Sequence, residues 1–202
     1  MNRQLVGYGI LLALMLVAPA VLYPVLVMKI LCFALFACAF NLLIGYTGLL
    51  SFGHAVFLGT AGYVAGHSIK VWGFPPELGL IAATLAAAAL GWVIGSLAIR
   101  RSGIYFAMIT LALAQMMYFF FLQAPFTGGE DGLQDVPRGK LLGIIDLADD
   151  FNLYYFVLAI FIFAFWLIHR TIHSPFGQVL KAIRENEARA ISLGYDVAKY
   201  KL

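Results

Sequence analysis

The chain has 202 residues, 63% of them hydrophobic and 11% charged, with a formal net charge of +3 at pH 7. Soluble domains run to roughly 45–50% apolar and 25% charged residues, so this composition excludes a soluble globular protein and defines an integral membrane protein. The small basic balance is no nucleic-acid footprint, because Lys and Arg sit beside apolar runs and form no stripe with interleaved aromatics.

The first element is an apolar run behind Arg3. Reading onward for stretches of about 20 apolar residues places six spans, at 5–23, 25–44, 53–69, 79–99, 103–123 and 153–168. Lipid admits only helices or closed barrels, and uninterrupted runs of this length exclude alternating barrel strands. The fold class is therefore all-α, a polytopic membrane helix bundle. Residues 1–24 also carry the marks of a signal peptide, with Ala18-Pro-Ala20 as a cleavage site, a reading that leaves the remaining topology unchanged. Cys32 and Cys38 stand six apart and face different sides of a helix, which indicates neither a disulfide nor a metal site.

Between the second and third spans, Asn41, Gly45, Thr47, Gly48, Ser51 and His54 collect without any Lys or Arg. Two readings stand. A broken helix would offer uncancelled N–H and C=O dipoles to a carboxylate or amine at membrane depth. A tight cytoplasmic turn would leave Asn41 and His54 as ordinary packing groups. Gln115 in the fifth span has the same double status, and Lys29 lies near enough to a span end to snorkel. In the fourth span Ala83, Ala87, Gly91 and Gly95 form a small-residue ladder, and Gly62 and Gly66 offer another pair; such faces serve either a subunit interface or packing within one bundle.

Loop charge sets orientation. Arg3, Arg100, Arg101, Arg170, Lys181, Arg184, Arg189, Lys199 and Lys201 fall on one side of the six spans, against Lys70, Arg138 and Lys140 on the other. The positive-inside rule then puts the N-terminus and the tail in the cytoplasm. The external segment from Ala124 to Asn152 is acidic, with Glu130, Asp131, Asp135, Asp146, Asp149 and Asp150.

The tail, residues 174–194, reads as one helix: Ser174 caps it, Pro175 suits its first position, and Gly194 supplies a left-handed terminus. Phe176, Val179, Leu180 and Ile183 share one face, and Lys181, Glu185 and Arg189 stack at i, i+4 on another. It reads as a handle for a soluble partner. The rival is an interfacial helix on lipid headgroups, which Glu185 and Glu187 disfavour.

Enzymatic readings find little. Gly45-Tyr-Thr-Gly48 with His54 has only a faint likeness to an intramembrane serine protease, with Thr in place of the serine and the histidine too close in sequence. No Gly-x-x-x-x-Gly-Lys-Ser/Thr loop is present, so ATP chemistry must come from a partner.

Four segments in order, Asn41 to His54, Gly103 to Leu113, Thr127-Gly-Gly-Glu-Asp-Gly-Leu133, and Lys181-Ala-Ile-Arg-Glu-Asn-Glu187 through Gly194, resemble the permease of branched-chain amino-acid ABC importers, the LivM-type subunit. The resemblance implies a single permease domain over 1–202 in the bacterial inner membrane. It implies a homologous second permease subunit, two cytoplasmic ATPase subunits that bind the ATP, and a periplasmic substrate-binding protein, with no cofactor in this chain. It also makes the tail a coupling helix. Glu187-Ala188 with Gly194 is similar to the Glu-Ala-Ala and Gly loop of importer permeases, although Arg189 replaces the second Ala and the glycine comes one residue late. The family runs on past residues 200–202 into further membrane helices, so the chain is expected to be truncated at its C-terminus.

These readings assign Asn41, Gly45, Thr47, Gly48, Ser51, His54 and Gln115 to the substrate pathway. They assign Phe176, Ile183, Arg184, Glu185, Glu187, Arg189 and Gly194 to ATPase coupling. Urea, amide or aromatic-acid importers share the architecture. A channel or secondary transporter would need acids inside a span, and none lies there. A structural anchor would explain the tail but not the glycine-rich segment.

Overall fold

The structure, a computed structural model, describes residues 2–101, 103–141, 143 and 145–202, without the side chains of residues 2–6. The described residues form helices α1 (Asn2–Val21), α2 (Pro24–Leu42), α3 (His54–Lys70), α4 (Pro76–Ala98), α5 (Ile104–Gln123), α6 (Asp150–Ile172), α7 (Pro175–Glu185), α8 (Glu187–Ser192) and α9 (Val197–Lys201). The exception to the all-α class is a two-residue antiparallel ladder, β1 (Lys140–Leu141) on β2 (Ile145–Asp146).

Four segments have the length and apolarity to cross a bilayer: Pro24–Thr47, Pro76–Ala98, Ile104–Gln123 and Asp150–Ile172. The other two expected spans are shorter. α3 has 17 residues, the lower limit for a crossing, and the described apolar part of α1 runs over Gly7–Val21. Three of the four starts follow local chemistry. Prolines open α2 and α4, where a missing N–H costs nothing, and the Asp149 carboxylate caps α6 by accepting from the Phe151 N–H at 3.2 Å.

Side-chain pairs fix the directions. Tyr8 lies edge-on to Phe165 and His169 while the Tyr154 hydroxyl donates to the Met15 carbonyl at 2.6 Å, so α1 runs antiparallel to α6. Gly79 sits beside Ile69 and Gly91 beside Phe57, which makes α3 and α4 antiparallel. Gly53 meets Thr110 and Tyr63 stacks on Phe121 at 4.9 Å, which makes α3 and α5 parallel. In the small-residue ladder of α4, Gly91 packs on α3, Ala83 is buried and Gly95 lies against Leu202.

Two helix groups result. α1, α2 and α6 close on Val27, Met28, Leu31, Tyr154, Leu158 and Phe161; α3, α4 and α5 pack together, with Ala98 and Phe106 buried against Leu49. Large apolar side chains elsewhere face outward along the spans, as a lipid solvent requires. The cationic residues from Arg100 to Lys201 named above lie at the end that carries α7, and Lys70, Arg138 and Lys140 at the opposite end; the side chain of Arg3 is outside the described residues.

The tail departs from the single expected helix. Asn186 is extended, with φ −156° and ψ 98°, and its side chain accepts from the Arg189 N–H at 2.9 Å, so it ends α7 and caps α8. The stretch 174–194 is two helices. Arg189 therefore lies on a different axis from Lys181 and Glu185, and in the tail Glu187 pairs with Lys201 at 2.9 Å. Ile183, Ala190 and Val197 form a small core where α7, α8 and α9 meet, with Val179 and Tyr200 packed on it.

Candidate functional site

The link between α2 and α3 is where backbone polarity has no helix to satisfy it. After Leu42 the chain widens into one π-helical turn, Leu43–Thr47, and Gly48 stops it in the left-handed region at φ 73°. The Thr47 hydroxyl and the Gly48 N–H both turn back to the Leu43 carbonyl. The chain then crosses to α3 with Leu49 and Ser51 buried. It joins successive helices at the α7 end.

Gly53 allows that link to touch α5. A Cβ there would stand 2.6 Å from the Thr110 carbonyl, so only glycine permits the approach. The Phe52 N–H donates to Thr110 Oγ1 at 3.3 Å, and that hydroxyl donates to the Ala107 carbonyl at 2.9 Å. Thr110 was missed by sequence reasoning. Its signal was a hydroxyl inside an otherwise apolar run of the fifth span.

Beside the link lies a cavity of about 330 Å³, at the small end of ligand-site volumes. Ser51, His54, Thr110 and the Glu187-paired Lys201 supply polar atoms, and Leu43, Phe57, Trp92 and Phe106 supply apolar wall. His54 opens α3 among the rings of Phe36, Phe40 and Phe57, at 5.0, 5.5 and 5.8 Å, and its Nδ1 has no hydrogen-bond partner among the described residues. Gln115 is placed elsewhere, on a second cavity of about 310 Å³ between α3 and α5 with Tyr63 and Tyr118. Asn41 is exposed, its Oδ1 packed on the α-carbon side of Gly45. The expected pathway residues therefore divide: Ser51 and His54 share a cavity, Gly45, Thr47 and Gly48 shape the π-turn, and Gln115 stands apart.

The tail is attached to this link. The Arg184 guanidinium donates to the Gly45 carbonyl, and the Lys181 ammonium lies over the Tyr46 ring, 5.2 Å from its centroid. α7 begins on the last turn of α6: Ser174 Oγ accepts from the Gly177 N–H at 3.3 Å and donates to the Thr171 carbonyl at 2.7 Å. Of the expected coupling residues, Ile183 is 2% exposed and faces the tail's own core. Phe176 stacks on Tyr200 at 5.6 Å, Glu187 pairs with Lys201 at 2.9 Å, and Glu185 and Arg189 are exposed. Gly194 ends α8 at φ 87°, where the Tyr195 and Gly194 N–H groups bond the Ala190 and Ile191 carbonyls at 3.1 and 2.9 Å. The most exposed apolar side chains of the tail are Ile191 and Leu193, at 59% and 69%, with Leu202 and Phe176 at 53% and 43%.

Fold and site together define a multi-pass, all-α membrane protein whose charged tail is fastened to a glycine-rich link between spans. Residues 24–202 match the family described as the branched-chain amino acid transport system permease component, and the chain belongs to that family. It is 26% identical over 185 residues to the high-affinity branched-chain amino acid transport system permease protein LivM of Escherichia coli (strain K12). It is 25% identical over 190 residues to the LivM protein of Salmonella typhimurium (strain LT2). Each match takes in 80% of this chain and 44% of the relative, so the chain spans less than half the length of these proteins. No solved structure matches it. All of α1 but no later helix falls outside the family match.

Proposed function

We propose that this chain is a membrane-spanning permease subunit of an ATP-driven importer that carries branched-chain amino acids into the cell. In this reading it works in the bacterial inner membrane beside a homologous second permease subunit. Two ATPase subunits dock at the α7 end, which is cytoplasmic, and a periplasmic substrate-binding protein delivers cargo at the opposite end. ATP is bound by the partners. The observation that carries the reading is the joint between α7 and the α2–α3 link, because a transport subunit driven by a soluble motor needs a rigid element that leads from its surface to a cavity. Family membership supports the cargo class. So does the cavity wall, whose Leu, Phe and Trp side chains suit an aliphatic chain better than urea or an amide.

Burial supports a division of labour among the tail's side chains. Ile183 is enclosed, so the apolar contacts fall to Ile191 on α8 and Leu193 just beyond its end, flanked by Glu187 and Arg189, which orient the partner. The test is copurification and uptake in vesicles that hold the assembled transporter. Labelled leucine should enter only with ATP, valine should compete and urea should not, and Ile191→Asp with Leu193→Asp should release the ATPases while the permease stays inserted. Leucine entry that is independent of ATP, or ATPases retained by the double variant, overturns the reading.

A further inference from the structure

We infer that Arg184 is a pin that joins α7 to the end of α2, so that α2, α6 and α7 move as one body and residues 48–53 act as the hinge beside the Ser51 and His54 cavity. The inference rests on the coupling role proposed for the tail and names the residue through which motion passes.

The chemistry starts from the end of a helix. Helix termini leave carbonyls without intrahelical partners, and those carbonyls carry the negative end of the helix dipole. Where α2 gives way to the π-turn and then to Gly48, the Leu43 carbonyl collects the Thr47 hydroxyl and the Gly48 and Leu49 N–H groups. The Gly45 carbonyl is met by a cation from another element, the Arg184 guanidinium, 139 residues along the chain. That capping is favourable in charge and specific in geometry, because a planar guanidinium offers fixed donors.

Two further contacts make it a joint. Gly48 lacks a side chain where the Arg184 stem passes, and a Cβ there would stand 3.1 Å from Arg184 Cγ. One helical turn earlier, Lys181 covers the Tyr46 ring. α7 thus grips three of four consecutive residues from Gly45 to Gly48. At its other end it is tied to α6 through Ser174 and Thr171, and Gly177 lies so close to the Ile172 and Thr171 carbonyls that a Cβ has no room. α6 and α2 are themselves packed through Leu31, Tyr154 and Leu158. A push on α7 therefore reaches α2 and α6 together. The short link to α3 is the next place that can bend, and the cavity adjoins it.

The experiment uses the assembled transporter in vesicles. The pair Tyr46→Cys with Lys181→Cys is expected to be bridged, with and without ATP, by a bis-methanethiosulfonate reagent about as long as the two side chains it replaces, since their contact is made at the side-chain tips and not within disulfide reach. Crosslinked protein should take up leucine as well as the reduced control does. Uptake that is lost on crosslinking and restored by reduction overturns the inference, since the contact would then have to open; failure to crosslink overturns the geometry. As a second measurement, Arg184→Gln should cut uptake by about tenfold or more, the loss expected on removing a charged hydrogen bond, with ATPase binding and hydrolysis retained. Arg184→Lys should recover part of the uptake. Normal uptake in Arg184→Gln refutes the pin, and loss of the bound ATPase makes Arg184 a docking residue instead. If wild-type protein binds no ATPase, the coupling role fails on its own, and the crosslink alone decides whether α7 and α2 are joined.

Discussion

The link at the α7 end, residues 48–53, and the strap at the opposite end, residues 124–149, use the same residue types for different ends. A threonine stands at or near the start of each and turns its hydroxyl back on a helix terminus: Thr47, just before the link, to Leu43, and Thr127 to Ala124 at 2.7 Å. Each then spends a glycine at positive φ, Gly48 at 73° and Gly128 at 82°. The link touches its neighbour backbone to backbone, at Gly53 and Thr110. The strap is held by side chains reaching in from several helices. Lys70 of α3 donates to the Gln134 carbonyl at 2.7 Å, Leu133 and Val136 cover Gly66, Gly139 abuts Pro76 of α4, and Arg138 pairs with Asp150 of α6 at 2.5 Å. The bundle is therefore stapled across both helix groups at one end and hinged at the other.

The largest expected effect separates the tail's inside from its outside. Ile183→Asp places an unpaired carboxylate in the core with Ala190 and Val197, a change of more than about 3 kcal/mol that unfolds the tail. Ile191→Asp, at an exposed site, leaves the fold within about 0.5 kcal/mol. Limited proteolysis of the solubilised protein checks both, with rapid clipping near Asn186 expected for the first variant and wild-type resistance for the second. Equal resistance would mean that the tail core is not formed.

Next come the glycines that tell hinge from staple. Gly53→Val drives a branched side chain into the Thr110 carbonyl, and relief by a rotamer is not available because both partners are backbone. Overpacking of this kind costs about 1–3 kcal/mol. Gly48→Leu adds left-handed strain of about 1–2 kcal/mol and displaces the Arg184 stem. It is expected to leave the protein inserted and to abolish uptake. Gly128→Ala at the strap adds to the left-handed strain a Cβ that collides with the Gly132 carbonyl, and should lower thermal stability more than Gly48→Leu does, without that selective loss of uptake. Normal uptake in Gly48→Leu would make the link a passive turn.

Orientation supplies a yes-or-no test. Cysteines at Asp131 in the strap and Ser192 in the tail should react with an impermeant maleimide from opposite faces of the membrane, the periplasmic face for the first. Labelling of both from one face would remove the separation between staple and hinge.

What was legible in the sequence was whatever hydrophobicity records. The run 103–123 became Ile104–Gln123 and 79–99 became Pro76–Ala98, because a lipid solvent forces the helix wherever an apolar run persists. Ser174 and Gly194 were read correctly as termini, since a cap and a left-handed glycine act locally. Asn186 was not, although asparagine caps as well as serine does, because the apolar spacing through Ile183 made it look like an interior polar residue. Arg184 was read as a cytoplasmic charge and an ATPase-coupling residue, and its contact with the link was not read at all. Periodicity reports which side of a helix is polar, and a carbonyl 139 residues away leaves no mark on it.

The smallest expected effect lies in the staple's ion pair. Arg138 and Asp150 are 42% and 35% exposed, so water and salt screen them, and exposed pairs measure at about 0.2–1 kcal/mol. Arg138→Gln should therefore lower stability by less than about 1 kcal/mol, more at low salt than at high. The remaining hydrogen bond from Arg138 to the Ala148 carbonyl, 3.1 Å, passes in part to the glutamine amide. Arg184 differs in kind, because its partner is a neutral carbonyl at a helix end and its stem is packed on Gly48, so the effect of Arg184→Gln on uptake should change little with ionic strength. Thermal unfolding of Arg138→Gln and uptake by Arg184→Gln, each measured across a salt series, decide the matter. A salt-dependent Arg184 variant would mean that long-range charge, and not the fit of one side chain against a glycine, holds α7 to α2.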